Sequence, residues 1–119
     1  MIAAYAAKPT KLVIGLMSGT SLDGIDAALV RLSGCGLATR AELVHFVSRP
    51  YDPPLRERLL ALCTREHSDV ARVCGMNVYL AERFAAVVQE TIASAGYAPG
   101  DIDLIASHGQ TIWHIPEPD

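Results

Sequence analysis

The sequence predicts an α/β fold that opens with antiparallel strands and passes into helices. Three observations carry this. Two largely apolar runs, Leu12–Met17 and Ile25–Leu32, flank the turn-forming stretch Ser18–Gly24, the pattern of two strands joined through a hairpin tip. After Asp52 the apolar residues move to a spacing of three and four: Leu55, Leu59 and Leu62, then Val73, Met76, Leu80, Phe84, Val87 and Thr91. That is the stripe of an amphipathic helix. Strand character then returns in Ile102–Ala106.

Residues 1–10, rich in Ala and carrying Pro9, are expected to form a loose N-terminal extension, with 11–119 as the folded unit. Two strands follow as above, and Ser33-Gly34-Cys35-Gly36 makes the next turn. Ala41–Arg49 alternates as a third strand, with Leu43, His45 and Val47 on one face and Val44 and Phe46 on the other. These three strands form an antiparallel meander. Asp52 suits a helix N-cap and Pro53 the first helical position, where its missing N–H costs nothing. This first helix runs to about Cys63. A second, longer one begins near Ser68 or Asp69 and stops at Gly96, followed by Tyr97 and Pro99. A fourth strand, Ile102–Ala106, leads into a loop, Ser107–Thr111. The order of three strands, helices and a strand suggests the opening part of a ribonuclease-H-like α/β domain. In open α/β sheets, ligands bind at loops beyond the strand carboxyl ends.

Composition narrows the function classes. At 119 residues the chain is one domain at most, and half of it is hydrophobic, enough for a core. A net charge of -3 offers no electrostatic case for nucleic acid or an anionic membrane. Cys35, Cys63 and Cys74 form no C-x-x-C pair and leave an odd one over, which favours reduced thiols in the cytoplasm. Met1–Ala7 lacks the basic start of a secretory signal. No run approaches the ~20 apolar residues of a membrane span.

The chemistry concentrates in the hairpin tip. Gly19, Thr20, Ser21, Leu22, Asp23, Gly24, Ile25 and Asp26 combine glycines, hydroxyls and carboxylates. Such a tip can wrap a phosphate with its N–H groups, and Asp23 and Asp26 suit a hard cation such as Mg²⁺. A plain turn built from turn-forming residues is the alternative, and it stays open. A Walker loop is excluded because Ile25-Asp26 stand where Lys-Ser/Thr must follow Gly24. No G-x-S-x-G elbow surrounds Ser18 or Ser21, which disfavours a Ser21–His108 hydrolase. His108 and His114 lack a third ligand at metal-binding spacing.

Met17-Ser18-Gly19-Thr20-Ser21-Leu22-Asp23-Gly24-Ile25-Asp26 closely resembles the N-terminal signature of anhydro-N-acetylmuramic acid kinases. Ser107-His108-Gly109-Gln110-Thr111-Ile112-Trp113-His114-Ile115-Pro116 resembles a second signature of that family. The resemblance covers the chain from Lys11 onward and implies an actin-like sugar kinase whose first hairpin holds the ATP phosphates. It implies opening of the 1,6-anhydro ring of anhydro-N-acetylmuramic acid with water and phosphorylation of O6, a step in peptidoglycan recycling. ATP and Mg²⁺ are the implied cofactors, with Asp23 and Asp26 near the metal and residues 19–26 near ATP. His108, Gln110 and Thr111 are the candidates for sugar contacts, with loop bracing an equal alternative for His108. Trp113 suits either a sugar face or a loop anchor. The expected partners are the amino sugar and ATP, without nucleic acid or membrane, and a homodimer is left open for the full-length protein. The family is about three times longer, and its catalytic aspartate lies beyond Asp119. Residues 11–119 are therefore expected to be an incomplete N-terminal lobe, inactive alone. The rival reading is a truncated, non-catalytic nucleotide-binding or structural remnant.

Overall fold

A computed structural model describes residues 2–114; the end of the second signature, Ile115 and Pro116, lies outside the described residues. Helix α1 (Ile2–Ala7) precedes strands β1 (Thr10–Ser18), β2 (Gly24–Ser33) and β3 (Arg40–Pro50). Helices α2 (Pro53–Leu62) and α3 (Val70–Ser94) and strand β4 (Leu104–Gln110) follow. Short 3₁₀ turns, Gly36–Ala38 and Pro99–Asp101, join β2 to β3 and α3 to β4. The sheet order is β3-β2-β1-β4, with β1, β2 and β3 antiparallel and β4 parallel to β1. This is the expected α/β architecture of a meander, two helices and a further strand, and the structure shows that strand to be parallel to β1.

The sheet and the helices meet through one apolar layer. Alternating residues Ile14 and Leu16 of β1, with Ile25, Ala27 and Leu29 of β2, are buried. They pack with Leu55, Leu59 and Leu62 of α2 and Met76, Leu80, Val87, Val88 and Ile92 of α3. Ile14, Leu29 and Leu59 are fully buried, each contributing about 1.5–3 kcal/mol. The α3 stripe read from sequence is the buried one, with Val88 added and Val73 and Phe84 at its margin. Thr91 enters this apolar layer because its hydroxyl donates to the Val87 carbonyl at 2.7 Å, so no polar atom is left unpaired.

The helix ends have named causes. Asp52 accepts from the Leu55 N–H at 2.8 Å and Asp69 from the Arg72 N–H at 2.8 Å, capping α2 and α3. At the far end of α3, Tyr97 N–H donates to Ile92 O at 3.1 Å and Gly96 N–H to Ala93 O at 3.1 Å. Gly96 takes φ +79°. That bond pair is a Schellman stop, and it needs a residue free to be left-handed.

Three sequence expectations are corrected. Residues 1–10 are not uniformly loose: Ile2–Ala7 is a helix with none of its residues buried, and Thr10 already belongs to β1. Its alanines favour that conformation, and Lys8 pairs with Asp103. In β3, a bulge between Leu29/Val30 pairings inserts Val44 as an extra residue. The bulge breaks the simple alternation, so Leu43 is exposed and Val44 packs against the core. Finally, β4 does not end at Ala106 but continues through Ser107, His108 and Gly109 to Gln110. Gly109, at φ +74°, lets the strand take an extra residue and resume pairing with Gln110 opposite Ser18.

Candidate functional site

The hairpin tip, residues 19–23, is a tight turn with one apolar anchor. Leu22 N–H donates to Gly19 O at 3.2 Å, leaving Thr20 and Ser21 at the corners. Leu22 itself is left-handed, at φ +54°, and only 2 % exposed. A non-glycine residue there costs about 1–3 kcal/mol. Burying a leucine side chain offsets this by a similar ~1.5–3 kcal/mol. With Leu22 drawn into the core, Thr20, Ser21 and Asp23 stay exposed. Among the described residues, the N–H groups of these three donate to nothing. The tip therefore presents unspent backbone donors beside two hydroxyls and a carboxylate, the chemistry of an anion cradle.

The tip is seated on the end of β3. Tyr51 N–H donates to Asp23 O at 2.8 Å. A Cβ on Gly24 would come within 2.2 Å of Arg49 O and 2.7 Å of Pro50 Cα. Only glycine fits where these backbones meet. Ile25, read as part of the phosphate stretch, is a core residue at 2 % exposure. Asp26 is exposed, and its Oδ1 accepts from the Ser48 hydroxyl at 2.6 Å. Each carboxylate leaves an oxygen free, and no group of three or more His, Cys, Asp or Glu side chains that could hold a metal exists among the described residues.

Behind the turn lies a polar cluster that the sequence reading did not single out. Ser18, 1 % exposed, lies 2.7 Å from the Tyr51 hydroxyl and 2.9 Å from Gly24 O. Both hydroxyls reach Gln110 Oε1, from Tyr51 at 3.2 Å. Gln110 Nε2 donates to Gly19 O at 3.0 Å and to Thr111 O at 3.1 Å. Turning the carboxamide round would face its oxygen with two carbonyls, so the orientation is fixed by its partners. Burial pushes the Tyr51 phenol above its ordinary pKa, against the Ser18 hydrogen bond, and the phenol is a neutral donor at neutral pH.

The remaining predicted residues lie along β4 and just after it. His108 is exposed and its side chain makes no hydrogen bond among the described residues, so the bracing role considered for it has no support here. Ser107 Oγ accepts from Gly109 N–H at 3.0 Å. Thr111 is half-buried, next to Gln110. Trp113 is half-exposed, with the Arg65 guanidinium 5.6 Å from its ring centre, and His114 is exposed. No hydrogen bond joins Ser21 to His108, and the hydrolase pairing has no geometric basis.

Comparison with known proteins matches the sequence to one family. The family model for anhydro-N-acetylmuramic acid kinase matches residues 11–119. A protein of that name from Caldanaerobacter subterraneus subsp. tengcongensis is 50% identical over 109 residues, which is 92% of this chain and 28% of the relative. One of the same name from Bacillus thuringiensis subsp. konkukian is 42% identical over 107 residues, 90% of this chain and 28% of the relative. The chain belongs to the anhydro-N-acetylmuramic acid kinase family. It spans little more than a quarter of the length of these relatives, at 28%. Both stretches that resemble signatures of this kinase family contribute: the first forms β1's end, the tip and the start of β2, and Ser107–Gln110 of the second form the end of β4. They meet where Gln110 touches Ser18 and Gly19. Ser18 sits inside the first signature and was legible only as a turn former. Tyr51 lies in neither, and nothing in its sequence surroundings marks it. No helix among the described residues is long and apolar enough to cross a membrane.

Proposed function

We propose that this chain carries the ATP-phosphate loop of a kinase that opens the 1,6-anhydro ring of anhydro-N-acetylmuramic acid and phosphorylates O6, giving N-acetylmuramic acid 6-phosphate. One observation carries the reading: the exposed turn whose Thr20, Ser21 and Asp23 N–H groups are unspent, in a chain of this kinase family. Phosphoryl transfer calls mostly for positioning and charge neutralisation. MgATP supplies the transferable phosphoryl group and the neutralising charge when bound. The residues of the tip fit it: the N–H groups and the Thr20 and Ser21 hydroxyls would hold the phosphates, and Asp23 and Asp26 would hold the cation.

His108 and Thr111 offer the sugar a ring nitrogen and a hydroxyl from the end of β4. Gln110 supports the loop instead, since both of its Nε2 protons and its Oε1 are engaged within the chain. The general base that activates water for ring opening is assigned to an aspartate outside residues 1–119. The activity belongs in the cytoplasm, with ATP and a small amino sugar as partners and neither nucleic acid nor membrane.

The test is ADP release and sugar phosphate formation by the intact protein with anhydro-N-acetylmuramic acid. One ADP per phosphorylated sugar is expected, and no product in the absence of ATP. Phosphorylation without this sugar, or ring opening without ATP, rejects the reading. A second reading is a non-catalytic nucleotide-binding piece. It predicts MgATP binding by residues 1–119 without turnover.

A further inference from the structure

We propose that Gln110 is a positioning residue whose carboxamide latches the phosphate-facing turn to the buried Ser18–Tyr51 pair, so that the end of β4 sets the shape of the hairpin tip. The turn is closed by one backbone bond, Leu22 N–H to Gly19 O at 3.2 Å. Gly19 O is also the acceptor for Gln110 Nε2 at 3.0 Å. Oε1 of the same side chain lies within hydrogen-bond reach of the Ser18 and Tyr51 hydroxyls, 3.2 Å from the latter. Ser18 stands at the last residue of β1, Tyr51 just after β3, and Gln110 at the last residue of β4. One carboxamide thus joins the ends of three strands to the carbonyl that defines the turn.

The donor count shows how tightly this is specified. Ser18 and Tyr51 each have one proton to give. If Ser18 donates to Gly24 O, Tyr51 must donate to Gln110 Oε1, and then both hydroxyl protons and the carboxamide oxygen have a partner. Glutamate, methionine or leucine at 110 cannot reproduce both the acceptor and the two donors. Since the cluster is largely withdrawn from water, each lost partner strands a polar group. The consequence falls on the turn, because Gly19 O is left with one donor where it had two.

The latch stands on geometry alone; only its consequence for ligand binding rests on the ATP-phosphate reading. Gln110→Met keeps the side-chain volume and adds no charge. In the intact protein, hydrogen exchange at the Leu22 and Tyr51 amides should accelerate by roughly tenfold or more, with the Ile14 and Leu29 amides unchanged. Tyr51→Phe, which spares the ring, should give the same local pattern more weakly and covers the case in which Gln110→Met fails to fold. Titration with ATP and with adenosine supplies the second readout. Gln110→Met should weaken ATP by about tenfold and leave adenosine unchanged, since a misplaced turn affects the phosphates alone. Uniformly faster exchange at all four amides, or unchanged exchange at Leu22 and Tyr51, overturns the latch, as does an equal loss of ATP and adenosine. A wild-type protein that binds no ATP rejects the phosphate reading, while the exchange measurement still decides the latch.

Discussion

Leu12 and Asp103 hold each other by two hydrogen bonds: Leu12 N–H donates to Asp103 Oδ2 at 2.9 Å, and Asp103 N–H donates to Leu12 O at 2.8 Å. They sit where β4 comes alongside β1, and Gln110 and Ser18 sit where it leaves. A parallel strand that arrives after two helices has no hairpin to fix its register. A slip by one residue would turn its side chains to the opposite face. Here the register is pinned at both ends by side chains of β4's own flanks.

The Asp103 clamp is sensitive to acid. Lys8 first, and then the Leu12 N–H, hold its carboxyl below the usual aspartate range. A carboxylate with a lowered folded pKa contributes fully above its unfolded value, about 3.9. That contribution is lost as pH falls through the lower folded value. Asp103→Asn should therefore lower the urea midpoint at neutral pH, and the gap from wild type should close as both are acidified. A gap that persists unchanged into acid would show that the charge plays no part.

Leu22 should be the residue on which the tip depends mechanically. Leu22→Ala removes a nearly fully buried side chain but retains the left-handed backbone cost. A loss of about 2–5 kcal/mol in unfolding free energy is expected, with faster exchange at the tip amides. Leu22→Gly, which removes the backbone cost, should be less damaging than its volume implies. Equal stability of the wild type and the alanine variant would mean the side chain is not an anchor.

Much of this fold was legible because local chemistry and tertiary placement agree. The Asp52 and Asp69 caps, Gly96 stop and α3 stripe all follow from spacing and residue type. The misreadings share a different cause. The bulge at Val44 and the continuation of β4 past Gly109 are set by pairing with a neighbouring strand, and nothing within the segment announces them. The same holds at the site. The tip's glycines, hydroxyls and carboxylates were readable as a group, whereas the Ser18–Tyr51–Gln110 cluster is assembled from three separate strand ends. Gln110 was read as a sugar contact because an isolated carboxamide in sequence has no visible partners.

The two carboxylates should differ in their effect on Mg²⁺. Asp23 is exposed on the turn with its side chain unengaged among the described residues, while Asp26 already accepts from Ser48 at 2.6 Å. In the intact protein, Asp23→Asn should raise the Mg²⁺ needed for half-maximal activity by roughly tenfold. Asp26→Asn should have the smaller effect, and Ser48→Ala should resemble it if that hydroxyl orients the carboxylate. Ordinary Mg²⁺ dependence in both Asp variants would remove the metal from this part of the site.

Gly19 and Gly24 flank the same turn yet should fail in opposite ways. A Cβ on Gly24 meets the Arg49 and Pro50 backbones, with Arg49 O at 2.2 Å, and backbone cannot swing aside as a side chain can. Gly24→Ala should cost about 1–3 kcal/mol of stability and shift the tip with it. A Cβ on Gly19 finds only the Ser21 hydroxyl, at 3.6 Å, and its backbone is not left-handed. Gly19→Ala should leave stability within about 0.5 kcal/mol of wild type. What a larger substituent at Gly19 does meet is the Ser21 hydroxyl, one of the groups assigned to the phosphates. Gly19→Val should therefore fold normally and bind ATP more weakly, with adenosine unaffected. Thermal melts and calorimetric titrations on the three variants separate these outcomes. Unchanged ATP affinity in a folded Gly19→Val protein would place the phosphates somewhere other than this turn.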